Sequence, residues 1–274
     1  MMLSQRGRWA IVGLMSTPEQ YSQRWGGCQP SIRLLVDHCT TALSRVSWPA
    51  RCVLCSRRGQ RGLDLCEACE QDLPLNLHAC PLCAQPLAPS AAGLRCGACA
   101  RRRPPFDAST IPYAYRYPLA HLVRAVKYRG QVACGRVLGD LLVRRLLQDP
   151  RAESWPQGLI PVPLGDRRYA QRGYNQADEL ARRVSRALAI PILRDAVMRT
   201  RDTAEQAGLG GLQRRRNLRR AFAVVRPLQC THVAILDDVV TTGSTASELA
   251  RTLRRAGAKR IEVWAVARAG WHST

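Results

Sequence analysis

Lysine is nearly missing from this chain. Lys127 and Lys259 stand alone against 40 arginines, and with only 20 acidic residues the 274-residue sequence carries a formal charge of +22. No apolar run approaches the length of a membrane-spanning helix. The segment Arg6 to Met15 is basic and then apolar, as a secretory leader is, but Gly13 interrupts it and no Ala-x-Ala site follows. These absences lead us to expect a soluble cytoplasmic protein. No Ser-His-Asp or Cys-His set is recognisable either; His121 and His232 fall in helix and strand patterns and are read as structural. What remains is positive charge, which attracts polyanions, and the guanidinium can grip a phosphate with two donors. The bias of Arg over Lys also fits a GC-rich genome, which would make many of these arginines plain surface.

Cysteine is plentiful and unevenly placed. Eight of the twelve fall in four Cys-x-x-Cys turns, Cys52/Cys55, Cys66/Cys69, Cys80/Cys83 and Cys96/Cys99, separated by 10, 10 and 12 residues. Such a turn sets two sulfurs at tetrahedral bite, so two turns complete one Zn²⁺ site and eight thiolates suit two structural zinc ions. Redox dithiols and reduced structural cysteines are the competing readings. Pairing neighbours, 52/55 with 66/69 and 80/83 with 96/99, costs less chain entropy, though an interleaved pairing stays open. Two filled sites would lower the formal charge by four, to +18. Cys28, Cys39, Cys134 and Cys230 lack partners at ligand spacing, and His78 is a spare candidate ligand.

Along the chain the pattern divides into segments. Residues 1–30 show no periodicity and are expected to be a poorly ordered leader. Residues 31–49 read as an amphipathic helix capped by Ser31, with Ile32, Leu35, Val36, Cys39, Leu43 and Val46 on one face and Pro49 ending it. The cysteine module covers 50–103 and closes on a basic linker, Arg101–Pro105. An α/β domain follows over 106–274. Tyr113, Tyr115 and Tyr117 alternate as on a strand, where they would either pack or stack nucleobases. Helices are expected at about 119–128, 134–148 and 175–188, and strands at 159–162, 190–193, 221–225, 233–236 and 261–267. Strands alternating with helices imply a largely parallel sheet covered on both faces, with ligands at the carboxyl ends of its strands. The basic, Gly-containing stretch 200–218 is a long insertion.

The most informative string is Val233 to Thr245. An apolar run ends in Asp237 and Asp238, then Val239 and Val240, then Thr241, Thr242, Gly243, Ser244 and Thr245. An amphipathic helix follows, with Ala246, Leu249, Ala250, Leu253 and Ala256 on one face. A small hydroxylic loop at a helix N-terminus offers N–H groups and hydroxyls to a phosphate. Ionised carboxylates beside it only accept, so they suit sugar hydroxyls or a hydrated Mg²⁺. One site thus reads as a receptor for a phosphorylated ribose; an ordinary strand-turn-helix with a solvated acid pair is the bland alternative. Lys127 draws notice because a chain otherwise built on Arg keeps a compact ammonium there. A plain helix-end lysine is the rival account.

The string resembles the phosphoribosyl-pyrophosphate (PRPP) fingerprint of type I phosphoribosyltransferases. Joined to a fourfold Cys-x-x-Cys module, it looks like the ComF family, also called GntX or ComFC-like, over about residues 48–270. Leu122–Gly130, Val162-Pro163-Leu164 with Arg168 and Arg172-Gly173-Tyr174-Asn175-Gln176, and Arg199–Leu209 with Arg216-Asn217 are similar to further family segments. The one visible departure is Tyr174, where Phe is commoner. The resemblance implies a type I phosphoribosyltransferase-like sheet behind a zinc-ribbon-like module, with Asp237 and Asp238 near the ribose hydroxyls and Val239 and Thr241 to Thr245 around the 5′-phosphate. It also implies that Arg168, Arg172, Lys127 and Arg216 contact substrate, and that Mg²⁺ accompanies PRPP. A role in natural transformation, with single-stranded DNA and DNA-uptake proteins as partners, comes with it. A non-catalytic DNA-handling protein that keeps the fold is the alternative to an enzyme.

Overall fold

The branched, apolar run that starts at Val233 becomes the central strand of a parallel sheet. In a computed structural model, which describes residues 50–60, 62–149, 154–200 and 220–270, this strand is β6 (His232–Val240). It pairs with β7 (Arg260–Arg268) from His232↔Arg260 to Val240↔Arg268 and, on its other side, with β3 (Gly158–Pro161). The short strands β1 (Ala108–Thr110) and β2 (Tyr113–Ala114) both lie along β7. Every pairing is parallel, so both faces must be covered.

Alternation along β6 and β7 assigns the two faces. Ala234, Leu236, Trp264 and Val266 pack with α3 (Leu119–Arg129), α4 (Val132–Leu147) and α6 (Gln176–Leu188). Val233, Ile235, Val263 and Ala265 pack against α7 (Ser244–Arg255) through Ala246, Leu249, Ala250 and Leu253. Asn175 caps α6 by accepting from the Ala177 N–H, 3.1 Å, with Asp178 and Glu179 in the first turn where the helix dipole favours them. Gly130, at φ +61°, closes α3 in the left-handed conformation. The fold class expected from the sequence is the one observed: a parallel sheet with helices on both faces behind a cysteine-rich module.

Several local expectations need correction. Residues 190–193 make only one bridge, Leu159↔Ile192, before a 3₁₀ turn at Arg194–Ala196. Residues 221–225 do not join the parallel sheet; β5 (Phe222–Val224) pairs antiparallel with β4 (Val197–Arg199), a strand the apolar pattern is too short to reveal. The three tyrosines do not share a strand: β2 stops at Ala114, Tyr113 is buried, and Tyr117 is 80% exposed. His121 is exposed on α3, whereas His232 lies against the buried Glu262 carboxylate at 3.1 Å. The expected leader and the helix at 31–49 lie outside the described residues, as do Arg216 and most of the basic insertion.

The cysteine module contains one device twice. A tight turn follows Cys52 and Cys80, whose N–H groups donate to Arg57 O and Gln85 O, and ends on Ser56 and Ala84, both at positive φ. Cys66 and Cys96 then stand at the N-caps of α1 (Glu67–Gln71) and α2 (Gly97–Arg101). Cys52, Leu63, Leu65, Cys66 and Leu73 belong to the same core as α3 and α4, so the module continues the sheet domain without a break in packing.

Candidate functional site

β3 ends its pairing at Pro161↔Leu236, with a last bond from Val162 N–H to Leu236 O, 2.9 Å, while β6 runs on to Val240. Asp237 and Asp238 occupy this step, just past the carboxyl end of β3. The Asp238 N–H donates to Asp237 Oδ1 (2.8 Å) and the Val239 N–H to Asp238 Oδ1 (2.7 Å), which fixes both side chains. Lys127 reaches in from the last turn of α3 and places Nζ 2.8 Å from Asp238 Oδ2. Burial works against the Lys127 ammonium, but the Asp238 carboxylate and then Asp237 outweigh it and hold its pKa above the usual lysine value. Burial first, and the neighbouring Asp238 charge second, push Asp237 up to about 7. One carboxylate is thus paired with an ammonium; the other is about half ionised near neutral pH, and a further cation or donor would favour its charged form.

The loop after the acids is shaped for close approach. Gly243 sits at φ +72°, a left-handed turn that lets α7 start at Ser244. Thr242 Oγ1 and Ser244 Oγ lie 2.8 Å apart, and the Ser247 N–H bonds back to Gly243 O, 2.9 Å. Val239 and Thr245 are partly buried and Thr241 is exposed. Sequence reasoning missed the residue that anchors this loop. Arg268, 3% exposed at the end of β7, donates from Nη1 to the carbonyls of Val240 (3.1 Å), Thr241 and Ala269 (2.7 Å), and from Nε to Cys83 O, 3.0 Å. In a chain with 40 arginines no sequence signal set it apart, except its place at the end of a mostly apolar strand.

The Arg172–Gln176 segment is fastened to the same corner. Tyr174 donates its hydroxyl to Val126 O, one residue before Lys127, and Asn175 Nδ2 donates to Val162 O, 3.0 Å. The Arg172 guanidinium lies 5.8 Å from the Tyr128 ring centre and donates to Gln176 Oε1, 3.3 Å. Buried Gln176 keeps its Nε2 without a partner among the described residues, a donor left over for a ligand. Arg168 lies partly buried on the short helix α5 (Asp166–Arg172).

The eight module thiols gather as neighbours: Cys52, Cys55, Cys66 and Cys69 in one cluster, and Cys80, Cys83, Cys96 and Cys99 in the other, with the sulfurs of each within 4.8 Å of one another. Cys55 Sγ and Cys66 Sγ are 3.5 Å apart, and Cys83 Sγ and Cys96 Sγ 3.6 Å. A tetrahedral zinc site with Zn–S bonds of about 2.3 Å has sulfur edges of roughly 3.8 Å, whereas a disulfide needs about 2.05 Å. Burial opposes ionisation of Cys52 and Cys80, yet backbone N–H donors bring them down to about 6 and about 7. Burial and then the neighbouring sulfurs hold Cys69 and Cys99 well above the ordinary thiol range. Four thiolates therefore need a cation at the centre, and a closed Cys₄ shell suits zinc as structural metal. His78 is in neither cluster.

The comparisons with known proteins agree with this anatomy. Residues 43–100 match the double zinc ribbon domain. The chain is 36% identical over 223 residues to the DNA utilization protein YhgH of Escherichia coli O157:H7, covering 80% of this chain and 97% of that one. It is 36% identical over 227 residues to competence protein F of Haemophilus influenzae, with the same coverage. Among solved structures it is similar to a purine phosphoribosyltransferase from Pyrococcus horikoshii (TM-score 0.32, 20% identity, 50% of this chain and 76% of that one). It is also similar to the glutamine PRPP amidotransferase of B. subtilis (TM-score 0.31, 19% identity), matching 47% of this chain and only 25% of that one. Those two likenesses are too slight to carry an argument. With a relative matched over nearly its whole length at this identity, the chain belongs to the ComF family, that of competence protein F and YhgH.

Proposed function

We propose that this protein binds PRPP or a related ribose 5-phosphate with Mg²⁺ at Asp237–Thr245, and that it serves DNA uptake or the use of external DNA. The observation that carries the reading is the acid pair at the step beyond β3, braced by Lys127 and followed at once by a left-handed Gly243 and a helix N-terminus. In that reading Asp237 and Asp238 accept from the ribose 2′- and 3′-hydroxyls. Thr241 to Thr245 offer N–H and O–H groups to the 5′-phosphate. Arg172 and the spare amide of Gln176 lie at the same edge as donors for a diphosphate; Arg168 and Arg216 are carried over from the family pattern alone. Mg²⁺ would supply charge to a departing pyrophosphate, and an acid held near neutrality, as Asp237 is, gains from such a cation. The cellular role rests on the names of the relatives, as do the partners, single-stranded DNA and DNA-uptake proteins.

Calorimetry with PRPP, with and without Mg²⁺, tests the site. Asp237→Ala removes charge-assisted hydrogen bonds worth roughly 1.5–3 kcal/mol, so affinity falls about 10- to 100-fold. Gly243→Val forces a β-branched residue to φ +72° and eliminates binding. Unchanged affinity in both variants removes the site. The second reading, a DNA-handling protein without turnover, is favoured by the charge of +22 and the relatives' names. Assaying pyrophosphate release with nucleobases, amines and single-stranded DNA as acceptors separates the two.

A further inference from the structure

A cavity of about 1,020 Å³ opens between the second ribbon and α7, with Arg268 at the end of β7 also in its lining. One stripe of α7, where Ser244, Ser247, Glu248, Arg251 and Arg255 recur at helical spacing, lines it together with Arg101–Pro105; Arg251 and Arg255 are the exposed members of that stripe. Thr242, Gly243 and Ser244 close one end, whereas Asp237 and Asp238 are not part of the lining. Seven arginines line it against a single carboxylate. Glu248 is already engaged by Arg251 (2.8 Å) and by the Arg220 N–H (2.8 Å). A zinc-filled Cys80/Cys83/Cys96/Cys99 centre in the wall would carry two negative charges, so the lining keeps a net charge of four positive, of which Arg103 has Asp107 nearby at 3.9 Å. Arg101 and Arg102 are exposed, and no carboxylate pairs with them among the described residues.

A terminal phosphate monoester needs the loop and nothing beyond it. The stripe from Ser244 to Arg255 extends eleven residues, about 16 Å at 1.5 Å per residue, which spans several phosphates of a stacked strand at about 3.4 Å each. We propose that the site takes a ribose or deoxyribose 5′-phosphate whose phosphate carries a further group, as an ester or an anhydride, with the 3′-hydroxyl on the acid pair in either sugar. The sugar lies on the acid pair, the loop holds the phosphate, and the further group runs into the cavity between α7 and Arg101–Arg103. This rests on the ribose 5-phosphate reading of the loop. The shared chemistry has two sources: the end of a single nucleic-acid strand, or a free dinucleotide such as ADP-ribose.

The test uses the full-length, zinc-loaded protein, with ribose 5-phosphate, ADP-ribose and a 5′-fluorescent twelve-nucleotide DNA as probes. Arg102→Glu with Arg255→Glu reverses two exposed charges in the cavity and touches neither the acids nor the loop. A gentler pair, Arg102→Gln with Arg255→Gln, guards against misfolding, with zinc content as the control. In the charge-reversal pair, affinity for the diester probes falls at least thirtyfold at low salt while that for ribose 5-phosphate stays within twofold. If a strand is the source, the salt slope for DNA drops by about 1.4, since each lost phosphate contact removes about 0.7. Loss confined to ADP-ribose identifies the dinucleotide. Ribose 5-phosphate must also displace the diester probe. Unaltered diester binding in both pairs, or a probe that ribose 5-phosphate cannot displace, overturns the proposal while leaving the ribose site intact. Failure of both ribose 5-phosphate and PRPP with Mg²⁺ to bind the wild-type protein overturns the earlier reading and this one together, and binding of PRPP alone overturns this one only.

Discussion

Cys52–Cys69 and Cys80–Cys99 repeat the same knuckle turn, the same positive-φ residue and the same cysteine-capped helix, but their surroundings differ. The first ribbon sinks Leu63, Leu65 and Leu73 into the core of α3 and α4, and ties α4 by Asp64–Arg136 (3.2 Å) and Glu70–Arg144 (3.1 Å). The second keeps a small cluster of its own, with Leu82 among its cysteines. Beyond Ala84, which joins the core on the α7 face, its outward ties are hydrogen bonds: Ser109 Oγ to Leu82 O (2.7 Å), Asn76 Nδ2 to Ala84 O (2.9 Å) and Arg268 to Cys83 O. One ribbon therefore supports the helix that carries Lys127, and the other stands behind the loop that follows the acid pair. Identical local chemistry serves stability on one side and loop geometry on the other.

The sharpest way to break this contrast is to remove one thiolate from each ribbon. Metal contributes about 10–16 kcal/mol to the folding of small zinc modules. Cys66→Ser should take the first ribbon's share out of the main core: zinc falls from two ions to one, the protein becomes poorly soluble, and the melting temperature drops by more than about 10 °C by the usual size scaling. Cys96→Ser should also leave one zinc, with a clearly smaller thermal loss, yet weaken ribose 5-phosphate binding by more than tenfold because Cys83 O and Arg268 lose their register. Metal analysis, thermal unfolding and calorimetry on both variants check the pair. Equal melting losses would show that the two ribbons are interchangeable supports.

Next in size is Arg268→Lys. An ammonium cannot span four carbonyls as the planar guanidinium does, and each lost charged hydrogen bond costs roughly 1.5–3 kcal/mol. The expected outcome is a ten- to hundredfold loss of phosphate affinity with both zinc ions retained. Retained affinity would detach the second ribbon from the loop.

How much of this was legible beforehand follows from where the determinants lie. The zinc clusters and the Asp237–Thr245 string are local, so spacing alone exposed them. β6, α6 and α7 are long and periodic, and their extents differ from expectation by a few residues. Arg268 was hidden because its partners, Val240, Thr241 and Cys83, meet only through tertiary contact. β4 was hidden because three residues carry no period. The boundary at 103–106 suggested a linker because Arg-Arg-Arg-Pro-Pro looks like one, yet Phe106 is buried and the first ribbon shares the sheet's core. Lys127 lies between these cases: its rarity drew attention to it, and only the fold supplied Asp238.

A smaller effect separates the acid pair from either ribbon. Because the folded-state pKa of Asp237 is raised from 3.8 to about 7, this group's contribution to stability is fully present below about pH 4 and is lost as pH rises through 7. The proposed binding of a ribose 5-phosphate with Mg²⁺ needs the ionised form, so its affinity should run the other way and fall several-fold between pH 8 and pH 6. Calorimetry across that range gives the midpoint. Lys127→Met should raise the midpoint, by withdrawing the nearest positive charge, whereas Cys96→Ser should leave it in place. A midpoint that moves equally in both would tie the ribbon to the acids themselves.

The smallest predicted change tests the corner on the first ribbon's side. Tyr174 fills one of the last-turn carbonyls of α3 that the helix cannot satisfy, and so holds the turn carrying Lys127 against the Arg172–Gln176 segment. Tyr174→Phe keeps the ring and removes only the donor. A net hydrogen bond of this kind is worth about 0.5–1.5 kcal/mol. We expect that loss in chemical denaturation and a two- to fivefold weaker ribose 5-phosphate affinity, with no change in zinc content. The two readouts matter jointly. A stability loss with unchanged affinity would mean that Lys127 is held by Asp238 alone, and the site would then depend on support from the second ribbon's side only.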